Sequence, residues 1–180
     1  KQIMQSTYND RAIFFDRDGV INQLVNRESG FFSPRKFDDF NFYDDIKECI
    51  DFLSDNNFLI LIISNQPDIS RGEMEIEELN KMDKKMKEFL HIDDIYYSFD
   101  SDIVEGGTKK PSPKMLLEAK EKWNIDFSKS YFIGDSLVDQ QCAKNANIPF
   151  IFIAREHNRD LVCKNRIENL NQIKDYINII

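Results

Sequence analysis

Cysteine is scarce. The 180 residues hold three, Cys49, Cys142 and Cys163, an odd and widely spaced set. Such a set fits neither a disulfide framework nor a Cys-x-x-Cys metal knuckle, so a reducing cytoplasm is the expected compartment. Long apolar runs are missing too. The longest, Phe58 to Ile63, has six residues, against the ~18 that a membrane-spanning helix needs, so no membrane partner is expected. The first ten residues, KQIMQSTYND, are polar and lack the apolar centre of a signal peptide. They also lack an initiating Met, so the chain is expected to be trimmed or a piece of something longer. Positive charge is in deficit, with 24 Lys+Arg against 32 Asp+Glu and a formal net charge of −8. Acid spread in this way leaves no footprint for a nucleic-acid backbone, which is bound by clustered Lys and Arg. At 41% hydrophobic and 31% charged, the composition is globular rather than disordered. The length fits one domain, 1–180, that can bury a core without staples.

Short apolar runs alternate with helical periodicity. Ala12–Asp16 and Phe58–Ser64 read as buried strands, the second apolar on both faces as a central parallel strand must be. Further strands are expected at Ile95–Phe99, Tyr131–Gly134 and Phe150–Ile153, with a small edge strand near Arg166–Ile167. Helices are expected over Tyr43–Asp55, with Ile46, Ile50 and Leu53 on one face, and over Glu75–Leu90, with Leu79, Met82, Met86 and Phe89 on one face. Three more fall at Pro113–Trp123, near Val138–Asn145 and from Leu170 onward. This alternation predicts an α/β fold, a parallel sheet covered by helices on both faces.

Glycine is also sparse, and its placement is informative. Of six glycines and five prolines, all but Gly134 and Pro149 lie in segments that follow an expected strand and precede a helix. Those loops form the rim at which parallel sheets bind ligands. One of them, Gln23 to Asn41, is long for its type and carries Arg27, Arg35 and Lys36 among four phenylalanines.

Four strings on that rim carry chemistry. In FFDRDGVIN, Asp16 and Asp18 leave an extended chain on the same side, ~7 Å apart along it, and Arg17 points the other way. Paired acids want a cation or a shared proton, although an Asp-x-Asp-Gly string is also an ordinary solvated turn. In ISNQPDISRG, Ser64, Asn65 and Gln66 close a strand and form a serviceable phosphate cradle, or simply a turn or cap. In TKKPSP, Lys110 is extended before Pro111 and can reach over the rim, or lie solvated on the surface. In YFIGDSLVDQ, Asp135 follows a strand with Asp139 one helical turn on, and Asp135 is equally suited to cap the helix. Together they place an acid pair, a hydroxyl, a lysine and further acid on one rim. Asp16, Asp18 and Asp135 could hold Mg²⁺, with Ser64 and Lys110 on a phosphoryl group beside it.

In order and spacing these strings resemble the motifs of the haloacid dehalogenase superfamily, over roughly Ile13 to Ile153. The fuller strings DRDGVIN, SNQPDISRG, KKPSPKML and GDSLVD are similar to the branch that holds phosphatases of heptose bisphosphate and of histidinol phosphate. The resemblance implies a Rossmann-like three-layer sandwich with strand order 5-4-1-2-3. It implies Asp16 as nucleophile and Asp18 as general acid and base. Phosphate would be held by Ser64, Asn65 and Lys110, with Gln66 and Lys109 beside them. Mg²⁺ would rest on Asp16, Asp135 and the backbone carbonyl of Asp18, supported by Asp139. The expected activity is Mg²⁺-dependent hydrolysis of a small sugar phosphate, heptose bisphosphate ahead of histidinol phosphate.

Two positions depart from the branch. Its zinc-binding Cys-x-His and Cys-x-Cys are replaced by Ser98-Phe99-Asp100 and Gly106-Gly107-Thr108, so no zinc is expected. Lys109 stands where the branch usually has Arg, which loses bidentate geometry. The spacing between motifs leaves no room for a separate cap domain. The Gln23–Asn41 loop is therefore the expected cover, with Arg27, Arg35 and Lys36 offered to a second phosphate and Phe31 and Phe32 to a sugar face, unless the phenylalanines are core and the cations solvated. A phospho-receiver module gathers similar groups. It carries its acceptor on a middle strand, however, whereas here the nucleophile would end the first strand with an acid two residues on.

Overall fold

The computed structural model describes residues 9–177. The first eight residues of the polar leader, and the last three of the expected C-terminal helix, lie outside the described residues. The main sheet contains β1 (Ala12–Phe15), β4 (Leu59–Asn65), β5 (Asp94–Ser98), β6 (Tyr131–Gly134), β7 (Phe150–Ile153) and β8 (Arg166–Ile167). Its spatial order is β5-β4-β1-β6-β7-β8, and every pairing is parallel. Counted as the first five parallel strands and read from the other edge, this contains the expected 5-4-1-2-3; it differs in adding β8 at one edge. Among the described residues the α-helices are α1 (Ile46–Asp55), α2 (Pro67–Ser70), α3 (Ile76–Phe89), α4 (Lys114–Trp123) and α5 (Leu137–Ala146).

Period-two alternation along β1 builds both faces at once. Ile13 and Phe15 pack with Ile46, Ile50 and Leu53 of α1 and Leu79, Met82 and Met86 of α3. Ala12 and Phe14 face the other way, onto Met115, Leu116 and Ala119 of α4 and Ala143 of α5. All four β1 side chains are fully buried. At about 1.5–3 kcal/mol for each large apolar side chain, this fixes β1 at the centre of the sheet and sets the place where it ends.

Three expectations change. The Gln23–Asn41 segment is not a plain loop: β2 (Val25–Arg27) and β3 (Gly30–Phe32) pair as an antiparallel hairpin over the sheet rim. Phe89 closes the expected apolar stripe of α3 but is 42% exposed, stacked on Phe42 at 4.9 Å. From Leu170 the chain forms a 3₁₀ helix to Asp175 rather than an α-helix. Among the described residues no helix is long and apolar enough to cross a membrane.

Candidate active site

Asp16 follows the last residue of β1 and stays in register with the sheet, its N–H donating to the Ile133 carbonyl at 3.0 Å. Lys110, 3% exposed, enters from the loop before α4. Its Nζ lies 3.0 Å from Asp16 Oδ1 and 2.7 Å from Asp139 Oδ1, and it donates to the Ile63 carbonyl at 3.2 Å. A reciprocal pair holds that loop to β4. Lys110 N donates to Asn65 Oδ1 at 2.9 Å, and Asn65 Nδ2 donates to the Lys110 carbonyl at 3.3 Å.

Asp135 is free for the site because Ser136, not Asp135, caps α5: Ser136 Oγ accepts from Asp139 N at 3.2 Å. Asp139 Oδ2 in turn accepts from Asp135 N at 3.2 Å. Two glycines make these approaches possible. At Gly19 (φ +87°) a Cβ would fall 2.0 Å from Asp135 Oδ2, and at Gly134 one would fall 2.4 Å from Asp139 Cβ.

Among the described residues, the acids that could jointly hold a cation are Asp16, Asp135 and Asp139, each offering an oxygen within 4.8 Å of the others. Burial and then the Asp139 charge push both Asp16 and Asp135 well above the usual carboxylate range. Burial acts in the same direction on Asp139. There the Lys110 charge and hydrogen bonds with Asp16, Lys110 and Asp135 win, and it is held below that range. Burial disfavours the Lys110 ammonium, but Asp139 and Asp16 more than offset this and raise it. Two buried acids and the partly buried Asp16 face one buried lysine, so formal negative charge is in excess. Clustered carboxylate oxygens are the donor set that Mg²⁺ takes, so the residues fit that ion.

The Asp18 carboxylate is held apart from this cluster. Oδ2 accepts from Gln66 Nε2 at 2.8 Å, and Oδ1 accepts from Arg17 and Asn22 at 2.8 and 2.9 Å. Gln66 Nε2 also donates to Ser64 Oγ at 2.9 Å, tying the first two motifs together, and no side chain of this loop caps α2. Arg17 does not simply point away. It is fully buried beneath the site, its guanidinium on Asp18 and near the rings of Phe40 and Tyr97.

Other expected residues are placed elsewhere. Arg27 lies at the hairpin tip, over Phe32 and donating to the Ser33 carbonyl at 3.4 Å. Lys109 Nζ donates to the Ser101 carbonyl at 2.7 Å. A cavity of about 240 Å³ opens beside Asn65 and Gln66, and the cations lining it are Arg35 and Arg71. Arg35 is among the loop cations the sequence offers to a second phosphate; Arg71, in the SNQPDISRG string, carries no such signal. Of the four loop phenylalanines, Phe40 is core and Phe31 and Phe32 are exposed. His157, also unremarked, reaches Asp135 from the turn after β7 at 2.6 Å. The signal was present in one of only two histidines standing just after a strand end.

Carboxylates, a hydroxyl and a lysine gathered at the carboxyl ends of a parallel α/β sheet define the class of phosphoryl-transfer enzymes. Residues 21–153 match the haloacid dehalogenase-like hydrolase family, and the chain belongs to it. The matched stretch begins after Asp16 and Asp18. The chain is 33% identical over 171 residues to D-glycero-alpha-D-manno-heptose-1,7-bisphosphate 7-phosphatase of Campylobacter jejuni, covering 92% of this chain and 95% of that one. It is 34% identical over 149 residues to the corresponding beta-anomer enzyme of Escherichia coli, covering 76% and 75%. In fold it is similar to a D,D-heptose 1,7-bisphosphate phosphatase from B. bronchiseptica complexed with magnesium and phosphate. The TM-score there is 0.79 at 21% identity, over 92% of this chain and 97% of that one.

Proposed function

We propose that this chain is a Mg²⁺-dependent phosphatase that removes the 7-phosphate of a D-glycero-D-manno-heptose 1,7-bisphosphate through an aspartyl-phosphate on Asp16. The observation that carries the chemistry is the Lys110–Asp16 contact of 3.0 Å at the end of the central strand, inside the carboxylate cluster. The substrate rests on the relatives, whose names carry that activity at 27–34% identity. Asp16, Asp135 and the backbone of Asp18 would hold Mg²⁺, which supplies positive charge opposite the phosphoryl oxygens and orients them. We read residues 1–180 as one catalytic domain, working in the cytoplasm on a small phosphate ester. The free thiols Cys49, Cys142 and Cys163 suit that compartment.

Each group then has a task. An Asp16 carboxylate oxygen attacks phosphorus in line, and the bond from phosphorus to the sugar oxygen breaks. Lys110 and Ser64 offset charge on the transferring oxygens. Asp18 gives its proton to the leaving oxygen, then takes one from the water that cleaves the aspartyl-phosphate, returning Asp16 as a carboxylate and releasing phosphate. The Arg17 guanidinium, 2.8 Å from Asp18, stabilises the carboxylate that exists between those two transfers. A receiver module has no use for such an acid–base partner.

The test is a phosphate-release screen with Mg²⁺ over both anomers of heptose 1,7-bisphosphate, histidinol phosphate and other sugar phosphates. The expected result is the highest kcat/KM on a heptose bisphosphate. Preference for histidinol phosphate would move the substrate to the other branch activity, and failure to turn over any ester would remove the phosphatase reading.

A further inference from the structure

The turn after β7 converges on one acid of the cation cluster. Asn158, 5% exposed, donates through Nδ2 to the Asp135 carbonyl at 2.8 Å and to the Ile153 carbonyl at 3.0 Å, and its Oδ1 accepts from Arg155 N at 2.7 Å. Arg155 is itself anchored. Its guanidinium makes a bidentate pair with Asp45 at 2.8 and 3.0 Å, donates to the Val20 carbonyl at 2.9 Å, and lies 3.7 Å from the centre of the Tyr43 ring. Between these anchored residues stands His157. Its Nε2 is 2.6 Å from Asp135 Oδ2, and its ring leans on Phe31 of the β2–β3 hairpin with centroids 6.0 Å apart. One turn therefore holds both the backbone and the carboxylate of Asp135.

We infer that His157 is a positioning residue for cation binding: by donating from Nε2 to Asp135 Oδ2 it fixes the carboxylate rotamer that presents Asp135 to the ion. This rests on the reading of Asp135 as a Mg²⁺ ligand. With Asp135 ionised, as a ligand to Mg²⁺ must be, the imidazole 2.6 Å away is the donor, and a carboxylate held at one oxygen keeps a single orientation for the other. Mg²⁺ prefers oxygen ligands, so the imidazole acts through Asp135 rather than on the ion. Phe31, packed against the same ring, makes the hairpin part of that support.

The test is calorimetric titration of Mg²⁺ into the purified protein, with thermal melts of every variant. Asp135→Asn is expected to abolish binding. His157→Leu keeps bulk against Phe31 but removes the donor, and is expected to weaken Mg²⁺ about 10–100-fold with an unchanged melt. His157→Gln keeps an N–H donor and is expected to recover most of that loss. Leu and Gln variants that weaken binding equally would make the role one of packing and overturn the inference, as would a Leu variant that binds like the wild type while Asp135→Asn does not. Wild-type affinity in Asp135→Asn would instead overturn the ligand reading beneath it.

Discussion

Lys110 Nζ lies 2.7 Å from Asp139 Oδ1, and both side chains are almost fully buried. Neither charge would survive there alone, since burial opposes both and each is kept charged chiefly by the other. Asp139→Asn should therefore do more than trim a hydrogen bond. It leaves a buried ammonium with Asp16 as its remaining carboxylate, and a loss of about 3 kcal/mol is expected in urea unfolding. Activity should fall with it, because Lys110 is then drawn toward Asp16. An unchanged unfolding midpoint would show that Lys110 finds compensation elsewhere.

Asp16→Asn should reduce turnover at least about 10³-fold while leaving the melt intact, since it removes the nucleophile but little volume. Activity within tenfold of wild type would remove Asp16 from that role. Asp18→Asn should be severely impaired as well, for a different reason. Without a base for the second transfer, phosphoenzyme should accumulate, detectable by acid quench with labelled substrate. Equal accumulation in the wild type would count against Asp18 as that base.

Chelation by EDTA should stop activity and added Mg²⁺ should restore it, with no stoichiometric zinc in the purified protein. The second expectation follows from the loop after β5. It is closed by hydrogen bonds between Ser98 Oγ and Thr108 Oγ1 at 2.7 Å, and from Thr108 N to Asp100 Oδ2 at 2.7 Å. Hydroxyls and one carboxylate are poor zinc ligands beside the Cys and His of zinc sites. One tightly held zinc per chain would mean this loop is built differently.

The thiols give a check on the packing. Burial pushes Cys142 up to about 12 and raises Cys49 and Cys163 as well, but Cys163 alone is only partly buried and open to a reagent. The thiolate is the reactive form, and a raised pKa removes it at ordinary pH. At about pH 8 a disulfide reagent should label Cys163 alone in the folded protein and all three cysteines after unfolding. Rapid labelling of Cys142 would indicate opening between α4 and α5.

The centre of the sheet is legible in the sequence because β1 and β4 are buried on both faces and read as unbroken apolar runs, as in Leu59–Ile63. The rim motifs are legible because each follows such a run. The β2–β3 hairpin is not, since Val25–Arg27 and Gly30–Phe32 face solvent and carry no alternation strong enough to mark them. Arg17 misleads for a related reason. Strand alternation places it opposite Asp16, but the turn at Gly19 folds Asp18 back toward the guanidinium, a contact set by tertiary packing under Phe40 and Tyr97. His157 is marked only by being one of two histidines, and Arg71 not at all, because a single polar residue in a loop looks the same whether it faces water or a carboxylate.

That difference between loop and hairpin is the ground for a prediction about a second phosphate. Of the three cations the sequence offers, Arg27, Arg35 and Lys36, Arg27 stacks on Phe32 at the hairpin tip, whereas Arg35 lines the cavity beside Asn65 and Gln66. Arg35 Nε is paired with Asp68 Oδ2 at 2.9 Å and its NH1 lies 3.5 Å from Glu73, both partly exposed contacts that a phosphate can displace at small cost. Arg71 stands on the same cavity, 3.7 Å from Asp68. Binding energy from the non-reacting end of a substrate appears in kcat/KM. Arg35→Ala should therefore lower kcat/KM for heptose bisphosphate by roughly 10–100-fold and leave p-nitrophenyl phosphate nearly unchanged. Arg27→Ala should affect the two substrates alike. If Arg27→Ala were the selective variant, the hairpin would have to fold further over the site with substrate bound. If neither were selective, the second phosphate would lie outside this cavity and a smaller monophosphate would become the better substrate.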